Sequence, residues 1–231
     1  MKNFSQNNSS IFGKKKGLFI CFAGIDGSGK TTLSKSLVKD LETKDLRFSY
    51  VYNRYIPFTL RPFMKLGELI FLRNHNFFEN YSSYSQAKKS NTKKHPFLGK
   101  IYQSILIIDY YFQTLFKIKI PLLLGKNIVC DRYIYDTIVT DLSVDFNYSK
   151  SNLDFISKLM QKFFPTPDFI FFVDVQEEVA FLRKDDVPSI EYLRDRRSLF
   201  SHLSFLFNMK KLDGTKKIDD LLRDIENELG V

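Results

Sequence analysis

Gly24-Ile25-Asp26-Gly27-Ser28-Gly29-Lys30-Thr31 is the stretch whose residue types and spacing most directly imply a chemistry. It fits G-x-x-x-x-G-K-[ST], the pattern of a Walker A phosphate-binding loop. Glycines let the backbone approach phosphate oxygens and turn its N–H groups inward, and a following helix N-terminus adds partial positive charge. In that setting Lys30 is expected to reach the β- and γ-phosphates of a nucleoside triphosphate, with the Thr31 hydroxyl on Mg²⁺. An ordinary glycine-rich turn can match the bare pattern. The context discriminates, because Leu18–Ala23 before it reads as a buried strand and Thr32–Leu41 after it reads as a helix.

A second set lies downstream. Asn127-Ile128-Val129-Cys130 is a short apolar run that delivers Asp131-Arg132-Tyr133. A carboxylate at the end of a buried strand, after a Walker A loop, is where a partner for Mg²⁺ is expected. Arg54 and Tyr55 follow the strand expected over 47–52, at the edge where open α/β sheets bind ligands. A loop arginine and a packing tyrosine would look the same. Arg183, Lys184 and Arg194 fall in a charged, proline-bearing segment of about 183–197. This segment reads as a short arginine-rich lid over phosphate, or as a charged helix face.

These groups need elements to hold them. Alternating strands and helices predict an α/β fold with a mainly parallel sheet. Leu60–Arg73 and the stretch from Ile101 to Phe116 read as helices, the latter with Ile101, Ile105, Ile108 and Phe112 as a core stripe. Phe169–Val173 reads as a strand buried on both faces, and Ser189 as a helix cap. The 231 residues suit one domain over 17–231, preceded by a solvated tail over 1–16. Residues 74–100 are polar and basic and read as containing a long loop.

Composition narrows the function classes. The formal charge of +9 suits a polyanionic ligand such as a nucleotide, and nucleic acid or an acidic membrane would suit it too. Cys21 and Cys130 lack C-x-x-C spacing, so they read as buried thiols in a reducing compartment. The first sixteen residues have no signal-type apolar core, and no apolar run is long and uncharged enough to span a bilayer. The expectation is a cytoplasmic protein with small-molecule nucleotide substrates, no nucleic-acid partner and no membrane.

Phe22–Thr32, Asp131-Arg132-Tyr133, Pro167–Val175 and Asp213, in that order, resemble the thymidylate kinase family of P-loop nucleoside monophosphate kinases. Asp26 inside the glycine loop is characteristic of it. The resemblance implies a P-loop NTPase fold, with a five-stranded parallel sheet flanked by helices, and a homodimer. It implies ATP and Mg²⁺, with Gly24, Asp26, Gly27, Ser28, Gly29, Lys30, Thr31, Thr32 and Asp213 on the donor side. Thr31 and Asp131 would hold the metal. Asp26, Arg54, Tyr55, Arg132 and Asp136 would form the acceptor side, with Arg132 bridging donor and acceptor phosphates. The loop has no basic residue besides Lys30, so the transition-state charge is expected from the lid group Arg183, Lys184 and Arg194, giving a catalytic set of Lys30, Asp131, Arg132, Arg183 and Arg194.

Two departures fall on the acceptor side. Asp109 is followed by Tyr110 where the family commonly has arginine, and Asp136-Thr137 stand where it usually has serine with asparagine or serine. The residues therefore support ATP-dependent phosphoryl transfer to a nucleoside monophosphate, dTMP being the first candidate. A related kinase with another nucleotide, a nucleoside or a phosphorylated metabolite as acceptor is one alternative, for which Asp131 or Asp136 could serve as a base toward a hydroxyl. A nucleotide-binding regulator without turnover is the other.

Overall fold

The computed structural model describes residues 16–57, 86, 90, 94–143, 146 and 148–231. The helix expected over Leu60–Arg73, nearly all of the tail and most of the segment 74–95 lie outside these residues.

Five strands form one all-parallel sheet in the order β2-β3-β1-β4-β5. They are β1 (Phe19–Ala23), β2 (Phe48–Tyr52), β3 (Asn127–Asp131), β4 (Phe169–Asp174) and β5 (Lys210–Asp213). The central strand β1 pairs with β3 on one side and β4 on the other, in the registers Cys21↔Cys130 and Phe22↔Phe171. Each central strand is a continuous apolar run because helices cover both faces of the sheet. On one face Leu33, Leu37 and Leu41 of helix α1 (Lys30–Thr43) pack with Leu221, Ile225 and Leu229 against Ile20 and Phe22. Each such leucine, fully buried, contributes about 1.5–3 kcal/mol. On the other face Phe19 and Cys21 meet Leu106, Tyr110, Ile134 and Phe200.

Helix α2 (Pro96–Thr114) continues through a wider π-type turn at Leu115–Lys119 into Ile120–Leu123, where Pro121 and Gly125 end it. Part of the polar stretch expected to hold a loop up to residue 100 is thus helical, at the described residues 86, 90 and 94 and from Pro96 onward. Helix α3 (Ile134–Thr137) follows β3 and widens likewise over Ile138–Ser143. Helices α4 (Lys150–Phe163), α5 (Glu177–Leu182), α6 (Ile190–Leu206) and α7 (Ile218–Leu229) complete the described elements.

Of the stripe expected to face the core on α2, Ile105 packs against it and the rest does not. Ile101, Ile108 and Phe112 are exposed, as is Phe116 beyond them. The buried face carries Leu106, Asp109, Tyr110 and Thr114. Among the described residues no helix is long and apolar enough to cross a membrane.

Candidate active site

Parallel strands bring their carboxyl ends to one edge of the sheet, and the candidate site lies there. β1 ends in the glycine loop, β2 in Asn53-Arg54-Tyr55, β3 in Asp131-Arg132 and β5 in Asp213.

The loop is shaped for phosphate. A Cβ on Gly27 would lie 2.1 Å from the Ala180 carbonyl oxygen, so only glycine fits where α5 packs on the loop. Gly29, at φ +94°, borders open space, and it starts α1 without a side-chain cap. The first-turn N–H groups are thus left to a ligand, as an anion site at a helix N-terminus requires. Lys30 is buried, and its Nζ donates to the carbonyls of Gly24 and Ile25, both at 2.6 Å. Burial, reinforced by the charge of Arg132, pulls its pKa down to about 8.

The Thr31 hydroxyl donates to Asp131 Oδ2 at 2.5 Å, and the Tyr50 hydroxyl donates to the same oxygen at 3.0 Å. Among the described residues Asp131 Oδ1, which is buried, has no hydrogen-bond partner. An orphaned carboxylate oxygen beside a P-loop threonine fits Mg²⁺, which is commonly held by one or two carboxylates together with substrate phosphates.

Arg132 is the hub of a buried ion cluster. Its backbone is left-handed, φ +68°, a conformation that costs a non-glycine residue about 1–3 kcal/mol and is tolerated mainly at functional sites. Its Nη2 donates to Asp26 Oδ1, and its Nη1 donates to Asp136 Oδ1 at 3.2 Å. The Tyr192 hydroxyl donates to Asp26 Oδ2 at 3.2 Å, and Lys184 Nζ stands 3.7 Å from Asp26 Oδ1. Burial alone would push the Asp26 carboxyl up, but Arg132, Lys30 and Lys184 hold it far below the usual carboxylate range. Burial pushes the Tyr192 phenol to about 12 against the opposing charge of Arg196, so it stays a donor at neutral pH. Arg54 follows β2 at the same edge, where burial and the charge of Arg132 lower its pKa but Asp141 and Asp26 outweigh them and raise it.

The loop after β2 is held from behind. Asn53 is fully buried; its Nδ2 donates to the Tyr110 and Thr114 hydroxyls, both at 3.1 Å, and the Tyr110 hydroxyl donates to the Asn53 carbonyl at 3.0 Å. Gln113 Nε2 donates to the Arg54 carbonyl at 2.8 Å. Tyr110 thus anchors the strand end. Tyr55 turns toward helix α2, its hydroxyl donating to Asp109 Oδ2 at 3.3 Å.

Asp26, Lys30, Thr31, Arg54, Asp131, Arg132 and Asp136 therefore converge. The lid residues divide. Arg183 Nη1 donates to the Gly214 carbonyl at 2.8 Å, in the loop after β5, while Arg194 pairs with Glu177 and Glu178 of α5. Among the described residues, Lys184 is the lid residue that pairs with the Asp26–Arg132 cluster. Asp213 closes a tight turn by accepting from the Thr215 N–H and hydroxyl, and Gly214 beside it packs on Ser28 of the glycine loop. Thr32 is exposed on the first turn of α1. Tyr50, Asn53, Gln113 and Tyr192 were not singled out by sequence, and Tyr110 was not assigned to the site. Only Tyr110 carried a signal, as the residue in the place of a family arginine.

A family model described as thymidylate kinase matches residues 103–225, more than half of the chain. The chain is 27% identical over 227 residues to the thymidylate kinase of Plasmodium falciparum (isolate 3D7), covering 94% of this chain and 91% of that protein. It is 26% identical over 219 residues to the thymidylate kinase of Leptospira borgpetersenii, covering 91% and 92%. With the probable thymidylate kinase of Sulfurisphaera tokodaii it shares 29% identity over 213 residues, covering 88% and 90%. With the family model matched over more than half of its length, the chain belongs to the thymidylate kinase family, as a nucleoside monophosphate kinase whose phosphate donor is ATP.

Proposed function

We propose that the chain transfers the γ-phosphoryl group of ATP to dTMP, giving dTDP and ADP. The observation that carries this reading is Arg132, buried at the meeting point of the glycine loop and the end of β3 and bonded to Asp26, with its Nε still unpartnered. A donor left over in a buried guanidinium beside a P-loop lysine suits a phosphate held next to another phosphate.

An acceptor phosphate oxygen attacks the γ-phosphorus, and the bond from that phosphorus to the β–γ bridging oxygen breaks. The attacking oxygen is already anionic, so no general base is needed; positioning and neutralisation of charge carry the rate. The glycine-loop N–H groups and Lys30 hold the donor phosphates. Thr31 and Asp131 would hold Mg²⁺, which when bound supplies charge neutralisation at the donor phosphates. Arg132 and Arg54 hold the acceptor phosphate, Asp26 and Tyr192 face its sugar, and Tyr55 borders its base. We assign the missing transition-state charge to Lys184, Arg183 and Asp213 to the nucleotide end of the donor site, and Arg194 to holding α6 on α5.

A cytoplasmic location and a homodimer are part of the same reading. The exposed apolar residues of α2 and those of α4 (Phe155, Leu159 and Phe163) suit burial against a second copy of this chain.

Release of ADP from MgATP, measured with dTMP and a panel of other nucleoside monophosphates, nucleosides and sugar phosphates, tests the reading. Turnover with dTMP well above the rest of the panel is the expected result. A second acceptor is favoured by one observation, the burial of Tyr110, which follows Asp109 where the family commonly has arginine. Preference for a different member of the panel would establish it in place of dTMP.

A further inference from the structure

Asp136 is 2% exposed, and its carboxylate is spent within the protein. Its Oδ1 accepts from Arg132 Nη1 at 3.2 Å and its Oδ2 accepts from the Tyr133 N–H at 3.4 Å. Asp26 takes the other terminal nitrogen of the same guanidinium. Two carboxylates therefore bracket one cation, and that cation still has a buried N–H without a partner.

We propose that Asp136 is a counter-ion that competes with the acceptor phosphate for Arg132, and that it thereby sets acceptor affinity and its dependence on pH. Asp136 is a positioning residue that acts through Arg132 and does not itself touch the acceptor. The inference rests on reading the acceptor as a phosphate monoester.

The physical reason is a conflict of like charges. One guanidinium cannot fully satisfy Asp26, Asp136 and an arriving phosphate dianion, and in a buried site their mutual repulsion is poorly screened. Protonation of Asp136 relieves it. The groups that face Asp136 are Arg132 and Lys30, which favour its charged form, Asp26 and Asp131, which oppose it, and Cys21, Cys130 and Tyr110. Burial is the largest influence, and with it the carboxyl is pushed up to about 6. An acceptor phosphate adds negative charge and raises it further. The sign follows: binding takes up a proton above about pH 6, so affinity falls as pH rises through that range.

Calorimetric titration of dTMP into the full chain decides the matter, with wild type, Asp136→Asn and Asp136→Ser compared from pH 5.5 to 8.5 in buffers of different ionisation enthalpy. The phosphate's own protonation is common to all three and cancels in the comparison. At pH 8 both variants should bind dTMP roughly tenfold tighter than wild type, as expected when one buried like charge is removed. At pH 5.5 the three should agree to within about twofold, and proton uptake should be smaller in the variants. Weaker or unchanged binding at pH 8 in both variants, or equal proton uptake, overturns the proposal. A merely structural role for Asp136 would lower stability without this pH-dependent gain. Should dTMP give no heat with wild type, the acceptor reading fails. The competition is then decided by inorganic phosphate as the probe, where equal affinity of wild type and variants at pH 8 overturns it.

Discussion

Lys184 lies in the segment between α5 and α6, with its ammonium 3.7 Å from Asp26 and 3.0 Å from Asp186. A cation joined to the acceptor cluster through a segment outside helix and strand can follow the charge that spreads over the transferring phosphoryl group. Removing such a charge costs orders of magnitude in rate. Lys184→Ala is expected to lower kcat at saturating ATP and dTMP by about 100-fold or more. Arg194→Ala, which breaks only ion pairs with α5, should stay within about threefold of wild type. Steady-state kinetics on the two variants check this, and a reversed order of effects would move the charge to Arg194. The sequence made the phosphate cradle, Asp131 and Arg132 legible because each sits in a local pattern with a mechanical reason. Tyr192 was not legible, since its partner Asp26 is 166 residues away and nothing local to α6 announces the contact. Tyr50 was hidden for the same reason, as a strand tyrosine that meets Asp131 only after β2 pairs with β3.

Helix α6 connects the residue scale to the fold. Ser189 caps it, its Oγ accepting from the Tyr192 N–H at 3.2 Å, so one bond fixes both the start of the helix and the residue that reaches Asp26. Ser189→Ala should destabilise the protein by about 1 kcal/mol, the ordinary cost of losing such a cap. It should also raise the acceptor KM a few-fold while the donor KM holds. Urea denaturation and initial rates measure both; unchanged stability would mean that the cap contributes nothing here. At this scale the central strands were legible from their uninterrupted apolar runs. Helix α2 was legible in kind but not in orientation. Its buried face carries a polar network of Asp109, Tyr110, Gln113 and Thr114 that anchors Asn53 and Tyr55, while its exposed face carries Ile101, Ile108 and Phe112. A rule that turns the apolar stripe inward reads such a helix backwards, because a ligand site needs polar groups inside and an apolar outer face has another use.

That outer face bears on the whole molecule. Phe112 and Phe116 are 52% and 67% exposed, so charged replacements there should leave the isolated chain folded. Burying them against a second copy is worth about 1.5–3 kcal/mol each, and a two-fold axis presents every side chain twice. The chain carries +9, so two copies repel each other at long range while their apolar faces attract. Association should therefore tighten as salt rises from low to physiological levels, opposite to an interface built on ion pairs. Light scattering coupled to size exclusion, at micromolar protein, should give a dimer for wild type and a monomer for Phe112→Asp/Phe116→Asp, with dTMP turnover tested on both. A wild-type monomer across the salt range, or a double variant that remains dimeric, would show that this face serves something other than a second copy of the chain.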